Sequence, residues 1–257
     1  MNNKKQNHLK NSVLVIIGIL ILLLIWEISS LVVNKINVFP DAVVTFQRFF
    51  QLLGDQSIYL AIISSLGVLL LTLLFSLIVA LILGTISGLS NTVNRILTPT
   101  ITFMKVIPTA CIVILLIIFV KSIYSTMIVI FLVVFPILYE SIVNGIHNLD
   151  QNIINSLRIE GLYSRNSIFK VIIPQILPYL YVGIVSSFGL GMKVEIMSEI
   201  IVGSVSFVGL GHLIYTAYAI NNDYIQLFAL TLLTLFSFGV VDIILYLIKK
   251  YFKKFTK

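Results

Sequence analysis

Six apolar runs punctuate the chain. At about 20 residues per membrane crossing, the runs at 12–33, 60–83, 101–120, 123–143, 176–192 and 224–248 each reach or approach the length of a span. Between the first two, Pro40-Asp41 opens a stretch in which Val43, Val44, Phe46, Phe49, Phe50, Leu52 and Leu53 recur at near-helical spacing. With Gln47, Arg48 and Gln51 toward water, this predicts an amphipathic packing helix outside the spans. The stretch 147–174 has a helix–turn–helix pattern. Leu149, Ile153, Ile154 and Leu157 share one face, Gly161 breaks the run, and Ile168, Phe169, Val171, Ile172 and Ile173 resume an apolar face before Pro174 and Pro178. Proline lacks a backbone N–H and suits a helix's first turn, so Pro174 is expected to end the short helix and Pro178 to start or bend the next span. The segment 195–223 is too apolar for a free loop. Irregular backbone at membrane depth survives only where it is buried in protein or lines water, so a broken helix dipping back toward the centre of the protein is expected there. No repeat of fixed period is visible.

Composition fixes the solvent. The 257 residues are 59 % apolar and 11 % charged, whereas soluble domains run about 45–50 % and about 25 %. Disorder needs the opposite balance, and a single cysteine, Cys111, excludes a disulfide scaffold. The expected fold is all-α: a polytopic membrane protein of about six transmembrane helices in one domain at 12–248, with basic tails at 1–11 and 249–257. The net charge of +7 is unevenly placed. Lys4, Lys5 and Lys10 precede the first run, and Lys249, Lys250, Lys253, Lys254 and Lys257 follow the last. Both clusters abut spans, so attraction to anionic lipid explains them better than nucleic acid does. With an even number of spans, Arg95, Arg158, Arg165 and Lys170 fall on the side of the tails, and Lys35, Arg48 and Lys121 on the other. That asymmetry predicts a cell-membrane protein with both termini cytoplasmic. The first run exceeds the 7–15 residues of a signal core and has no small-x-small site after it, so it is read as an anchor.

Little catalytic chemistry is visible. No glycine is followed by lysine, so the phosphate-binding loop of nucleotide-hydrolysing enzymes is absent. His8, His147 and His212 lie on a tail, an inside loop and an outside segment, and make no metal constellation. The chain reads as a non-enzyme without a cofactor of its own. Charges at the membrane edge carry a functional hypothesis by default. Lys193, Glu195 and Glu199 cluster at the end of the fifth run, the two acids one helical turn apart, where like charges repel. Two readings stand: a gate or substrate-facing rim, or a structural ion pair at the water boundary. Lys105, beside the Ile107-Pro108 break, either snorkels to the inner surface or offers a cation to an anionic solute. Glu27 and Glu140 read as interfacial.

Gly161, nine residues, then Val171-Ile172-Ile173-Pro174 resembles the EAA loop of ATP-binding-cassette importer permeases, written E-A-A, three residues, Gly, nine residues, Ile-x-Leu-Pro. Five further motifs are similar to the sulfonate/nitrate/taurine branch: Trp26-Glu27 with Phe39-Pro40, Ile107-Pro108-Thr109-Ala110, Phe135-Pro136-Ile137-Leu138, Pro174-Gln175-Ile176-Leu177-Pro178, and Gly209-Leu210-Gly211 after Glu199. The likeness runs from about residue 26 to 248. Asn155-Ser156-Leu157 stands where the family has Glu-Ala-Ala, Glu160 stands where it tends to have Leu, and the segment between Glu199 and Gly209 is a few residues longer than usual.

The resemblance implies a type I importer permease that works as a dimer, expected to be a homodimer, with the solute pathway between two copies. Its implied partners are cytoplasmic ABC ATPase subunits, which hold the ATP, and an extracytoplasmic solute-binding protein. The coupling loop then comprises Asn155, Arg158, Gly161, Arg165, Val171, Ile173 and Pro174, with Ile153, Ile154 and Leu157 rooting its helix. Arg158 and Arg165 either pair with the ATPase or are ordinary inside charges. Gate or pathway candidates are Lys105, Pro108, Lys193, Glu195 and Glu199. The branch implies a small anion such as a sulfonate, taurine or nitrate, although relatives of this layout also carry vitamin precursors. The rival, an ion-coupled secondary transporter, should show repeats and acids near the midplane. A non-transporting scaffold leaves the Gly161–Pro174 loop without a purpose.

Overall fold

The computed structural model describes residues 2–35, 37–120, 122–161, 164–203 and 208–255. In chain order the helices are α1 (Asn2–Val33), α2 (Ala42–Leu52), α3 (Gln56–Leu89), α4 (Asn91–Val106), α5 (Thr109–Phe119), α6 (Ser122–His147), α7 (Gln151–Glu160), α8 (Ile173–Val202), α9 (Leu210–Tyr215) and α10 (Tyr224–Phe255). A π-helical turn, Ser167–Ile172, runs directly into α8, and another, Thr216–Ile220, follows α9. Among the described residues, five helices are long and apolar enough to cross a membrane, or six if α4 and α5 form one bent span.

The core is a triplet of α3, α6 and α8. Helices in lipid gain no hydrophobic drive from packing on one another, so they associate through small residues that let backbones approach. Gly84 and Gly88 of α3 receive Ile142 and Ile146 of α6, which runs parallel to it. On the antiparallel side, Gly145 of α6 receives Ile176, while Gly183 and Gly191 of α8 receive Ser141 and Val134. Leu69, Ile130, Leu138, Ile142, Ile176 and Phe188 are buried between them.

A second, smaller core joins α2, α9 and α10 through Phe49, Leu52, Leu210, Ala229, Leu230 and Leu233. The α2 start signal behaves as expected: Asp41 is the N-cap and accepts the Val44 N–H at 2.7 Å. Arg48, expected to face water, also reaches Gln226 of α10 at 3.1 Å. The Trp26-Glu27 and Phe39-Pro40 motifs prove to be two halves of one joint. Trp26 Nε1 donates to the Pro40 carbonyl at 3.0 Å, Ser30 Oγ to that of Phe39 at 3.0 Å, and Glu27 accepts the Ala42 N–H at 3.3 Å. Trp26 and Phe39 both lie on the Phe228 ring. This joint fixes α1, whose apolar side chains are otherwise largely exposed.

Three expectations need correction. The third run is no straight span: α4 and α5 meet at Ile107-Pro108 with a bend of 92°, where proline cannot supply the helix hydrogen bond and constrains the residue before it. The fifth span does not end near residue 192. The helical stretch runs over Ser167–Val202 and takes Glu195 and Glu199 into the protein interior, so neither belongs to an outside segment. Pro174 does not end a helix; it sits in the first turn of α8, immediately after the wider π turn. Of the expected broken helix, residues 204–207 lie outside the described set, and Leu210–Ile220 forms a short apolar helix against the bundle.

Candidate functional site

The loop 147–174 is built as a helix on a locked turn. Asp150 caps α7 by accepting the Asn152 N–H at 2.8 Å. Leu157 is buried, and Leu149, Ile153 and Ile168 pack beside it on the main core. The opposite face is open: Asn155 and Ser156 are exposed, and Ile159 is 89 % exposed. Gly161 ends α7 with φ +99°, a conformation side-chain-bearing residues rarely adopt. Its carbonyl accepts the Ser164 N–H and the Ser167 hydroxyl, both at 2.9 Å, and the Ser164 hydroxyl accepts the Ser167 N–H at 3.1 Å. The turn is therefore tied to the π segment leading into α8. Arg165, Phe169, Lys170 and Pro174 are exposed around it, and Val171 and Ile173 are half-buried. Arg158 lies in α7, and its side chain is outside the described set.

At the same end of the bundle, α4 and α6 enclose a cleft of about 360 Å³ lined by Asn94, Thr98, Thr102, Tyr139, Glu140, Asn144 and His147, with Ile101 and Val143 at its base. Lys105 Nζ lies 2.7 and 2.9 Å from the two Glu140 oxygens. Glu140 is thus no isolated acid, and Lys105 has it as a partner. Tyr139 donates to Asn94 Oδ1 at 3.3 Å, and Thr98 to the Asn94 carbonyl at 2.7 Å. Pro108 stands at the bend just beyond.

At the other end, Glu199 is an anchor. Its Oε2 accepts the Gly211 N–H at 2.7 Å. The Ser65 hydroxyl of α3 donates to the same carboxylate, at 2.9 Å from Oε1, and its oxygen accepts the Leu210 N–H at 2.9 Å. Two of the N–H groups that a helix start leaves without partners are thereby satisfied by side chains of α8 and α3. The Gly209-Leu210-Gly211 pattern follows from this contact, since a Cβ on either glycine would run into Glu199. Glu195, one turn earlier, is fully buried, and among the described residues neither of its oxygens has a well-formed hydrogen bond. Lys193 is exposed on another face of α8. Among the described residues the ion pair is Lys105–Glu140, so Glu195 and Glu199 lie together in the interior without Lys193 as their ion-pair partner.

Sequence reasoning missed Ser65, Glu140 as a partner, and the neutral polar groups of the cleft. A signal was present: Asn94, Thr98, Thr102 and Lys105 recur at helical spacing along α4, as do Glu140, Asn144 and His147 along α6. Polar stripes inside apolar segments mark a surface that does not face hydrocarbon. Among the described residues no group of three or more His, Cys, Asp or Glu is placed to hold a metal ion.

The chain is similar to bicarbonate transport system permease proteins CmpB, at 29 % identity for that of Synechocystis (90 % of this chain, 83 % of the relative) and 27 % for that of Synechococcus elongatus (85 % and 81 %). It is also 26 % identical to the nitrate import permease protein NrtB of Leptolyngbya laminosa, over 64 % of this chain and 58 % of the relative. The family model for binding-protein-dependent transport system inner membrane components matches residues 76–257, a region that holds both the α7 loop and the Glu199 anchor. That match covers more than half of a chain built as a bundle of apolar helices, and the chain belongs to the family of binding-protein-dependent transport system inner membrane components.

Proposed function

We propose that this chain is the permease subunit of an ATP-driven importer of small inorganic oxyanions, nitrate or bicarbonate among them, with two copies forming the pathway. The observation that carries the reading is α7 itself: Leu157 roots it in the core while Ile159 stands almost wholly exposed beyond it. An apolar residue so presented on a rigid, turn-locked helix suits a groove on a cytoplasmic ATPase. Motion of that ATPase would reach α8 directly through Gly161 and the π turn. Arg165 and Lys170 beside it steer encounter with an acidic partner surface. The α7 end of the bundle, with both termini, is then cytoplasmic, and solute arrives on a binding protein at the opposite face.

The relatives' names and the Lys105 cleft together support an anionic solute. Purification of the chain with its native associates tests the assembly: a cytoplasmic ATPase should accompany it, and reconstituted uptake of labelled nitrate or bicarbonate should require ATP. Uptake driven by a proton or sodium gradient and indifferent to ATP would replace this reading with a secondary transporter.

A further inference from the structure

The cleft between α4 and α6 has a chemistry that the family match does not assign. Its ion pair is open, with Lys105 48 % and Glu140 43 % exposed. Glu140 lies about 10 Å along α6 from His147, at 1.5 Å per residue, so the pair sits below the helix end. Charged and amide groups on an open face at that depth are incompatible with hydrocarbon and mark a water-filled cavity or a facing subunit. The hydrogen bonds also have a direction. Asn94 Oδ1 is occupied by the Tyr139 hydroxyl, which leaves the Asn94 amide as a donor toward the cleft, and Lys105 brings an ammonium to its rim. Amide N–H groups beside a cation recognise small oxyanions.

We propose that Lys105 is the anion-recognising residue of this cleft and Glu140 its built-in competitor: an entering oxyanion takes the ammonium from Glu140, and Glu140 reclaims it as the anion leaves. An ion pair this exposed is weak, so the exchange is close to balanced. By competing for the ammonium, Glu140 weakens and speeds the release of the anion, and conduction needs sites that bind and release. This inference rests on the importer reading for its place in transport, but the binding step stands by itself.

The test uses the full chain in nanodiscs of phosphatidylcholine, with thermal unfolding followed as sodium nitrate replaces sodium gluconate at constant ionic strength. Nitrate should raise the midpoint of the wild type. Lys105→Gln should abolish the response, Lys105→Arg should restore it, and Glu140→Gln should half-saturate at about threefold lower nitrate, the scale of a partly exposed ion pair. An unchanged nitrate response in Lys105→Gln, or one lost in Lys105→Arg and Glu140→Gln alike, overturns the proposal. So does stabilisation by added phosphatidylglycerol with none by nitrate, which would make the cleft a headgroup site. ATP-driven uptake by the reconstituted complex is read separately. Its absence beside an intact, Lys105-dependent nitrate response defeats the importer reading and leaves this site standing, while ATP-driven uptake beside a Lys105-independent response defeats this site alone.

Discussion

Ser65 and Glu199, on neighbouring helices and 134 residues apart, share a hydrogen bond of 2.9 Å that holds the start of a third helix in place. The Ser65 oxygen accepts from Leu210 and the carboxylate from Gly211, so α3, α8 and α9 meet at two side chains. Losing either acceptor leaves a buried N–H without a partner, at a cost of about 1–3 kcal/mol. Glu199→Ala and Ser65→Ala should each lower the thermal midpoint in detergent. Because the two groups act on one another, the double variant should lose less than the sum of the singles. Strict additivity would show that the cluster does not act as a unit.

Glu195 should behave in the opposite way. It is as buried as Glu199 but, among the described residues, neither oxygen has a well-formed hydrogen bond, and a polar group buried without one is costly. Glu195→Met keeps the volume and removes the unsatisfied polar atoms, so its thermal midpoint should match or exceed the wild type's. Glu195→Lys cannot be accommodated by the same packing and should abolish accumulation of folded protein. A clear loss of stability in Glu195→Met would show that the carboxyl makes a bond the described contacts do not include.

The contrast between these two acids shows how far the sequence could be read. The apolar runs, the Asp41 start and the Gly161 break were legible because each is a local signal, set by span length, helix capping and backbone freedom. Span arithmetic stops near 20 residues and takes an acid as a boundary, so it could not carry the fifth helix on to Val202. That extension depends on Ser65 and the α9 backbone, partners remote in sequence. Lys105 was legible as a charge out of place, but its partner is 35 residues away on α6. The proline at 108 was visible, whereas a bend of 92° depends on what α4 and α5 each pack against.

Asp55 gives a pH dependence whose sign can be worked out. It caps α3, and the Ser57 backbone N–H, helped by the Ser57 hydroxyl, holds its carboxyl below its ordinary value. A group with a depressed folded value contributes stability above its unfolded value and loses it as pH falls through the folded one. The contribution is present at neutral pH and disappears in acid. Asp55→Ala should therefore differ most from wild type at neutral pH, and the two midpoints should converge on acidification. The difference should be small, since the carboxyl is fully exposed. A gap that widens in acid would reverse the assignment.

Gly161 separates the folding role of the loop from its mechanical one. A Cβ there would have room, with the Ser164 Cβ at 3.8 Å as its nearest neighbour, but φ is +99°. Backbone strain of this kind costs of order 1–3 kcal/mol, so Gly161→Val should relax by altering the exit from α7 while the helix bundle stays folded. On the importer reading, the reconstituted complex should keep hydrolysing ATP and lose most of its uptake. Equal loss of both activities would mean that the turn serves assembly and not transmission.

Ile159 tests docking with the least structural disturbance. At 89 % exposure it contributes little to the fold, and substitutions at such positions usually change stability by less than about 0.5 kcal/mol. Ile159→Asp should leave the thermal midpoint of the isolated chain unchanged, yet it places a charge where an apolar contact with the ATPase is expected. Burying that charge without a partner is unfavourable, so the ATPase should fail to co-purify and ATP-driven uptake should be lost. Leu157→Asp is the instructive comparison. Leu157 is 3 % exposed and belongs to the main core, so that variant should lose folded protein before any question of docking arises. If Ile159→Asp retains the ATPase at wild-type stoichiometry, the exposed face of α7 is not the contact, and the search for it moves to the surface around Arg165 and Phe169.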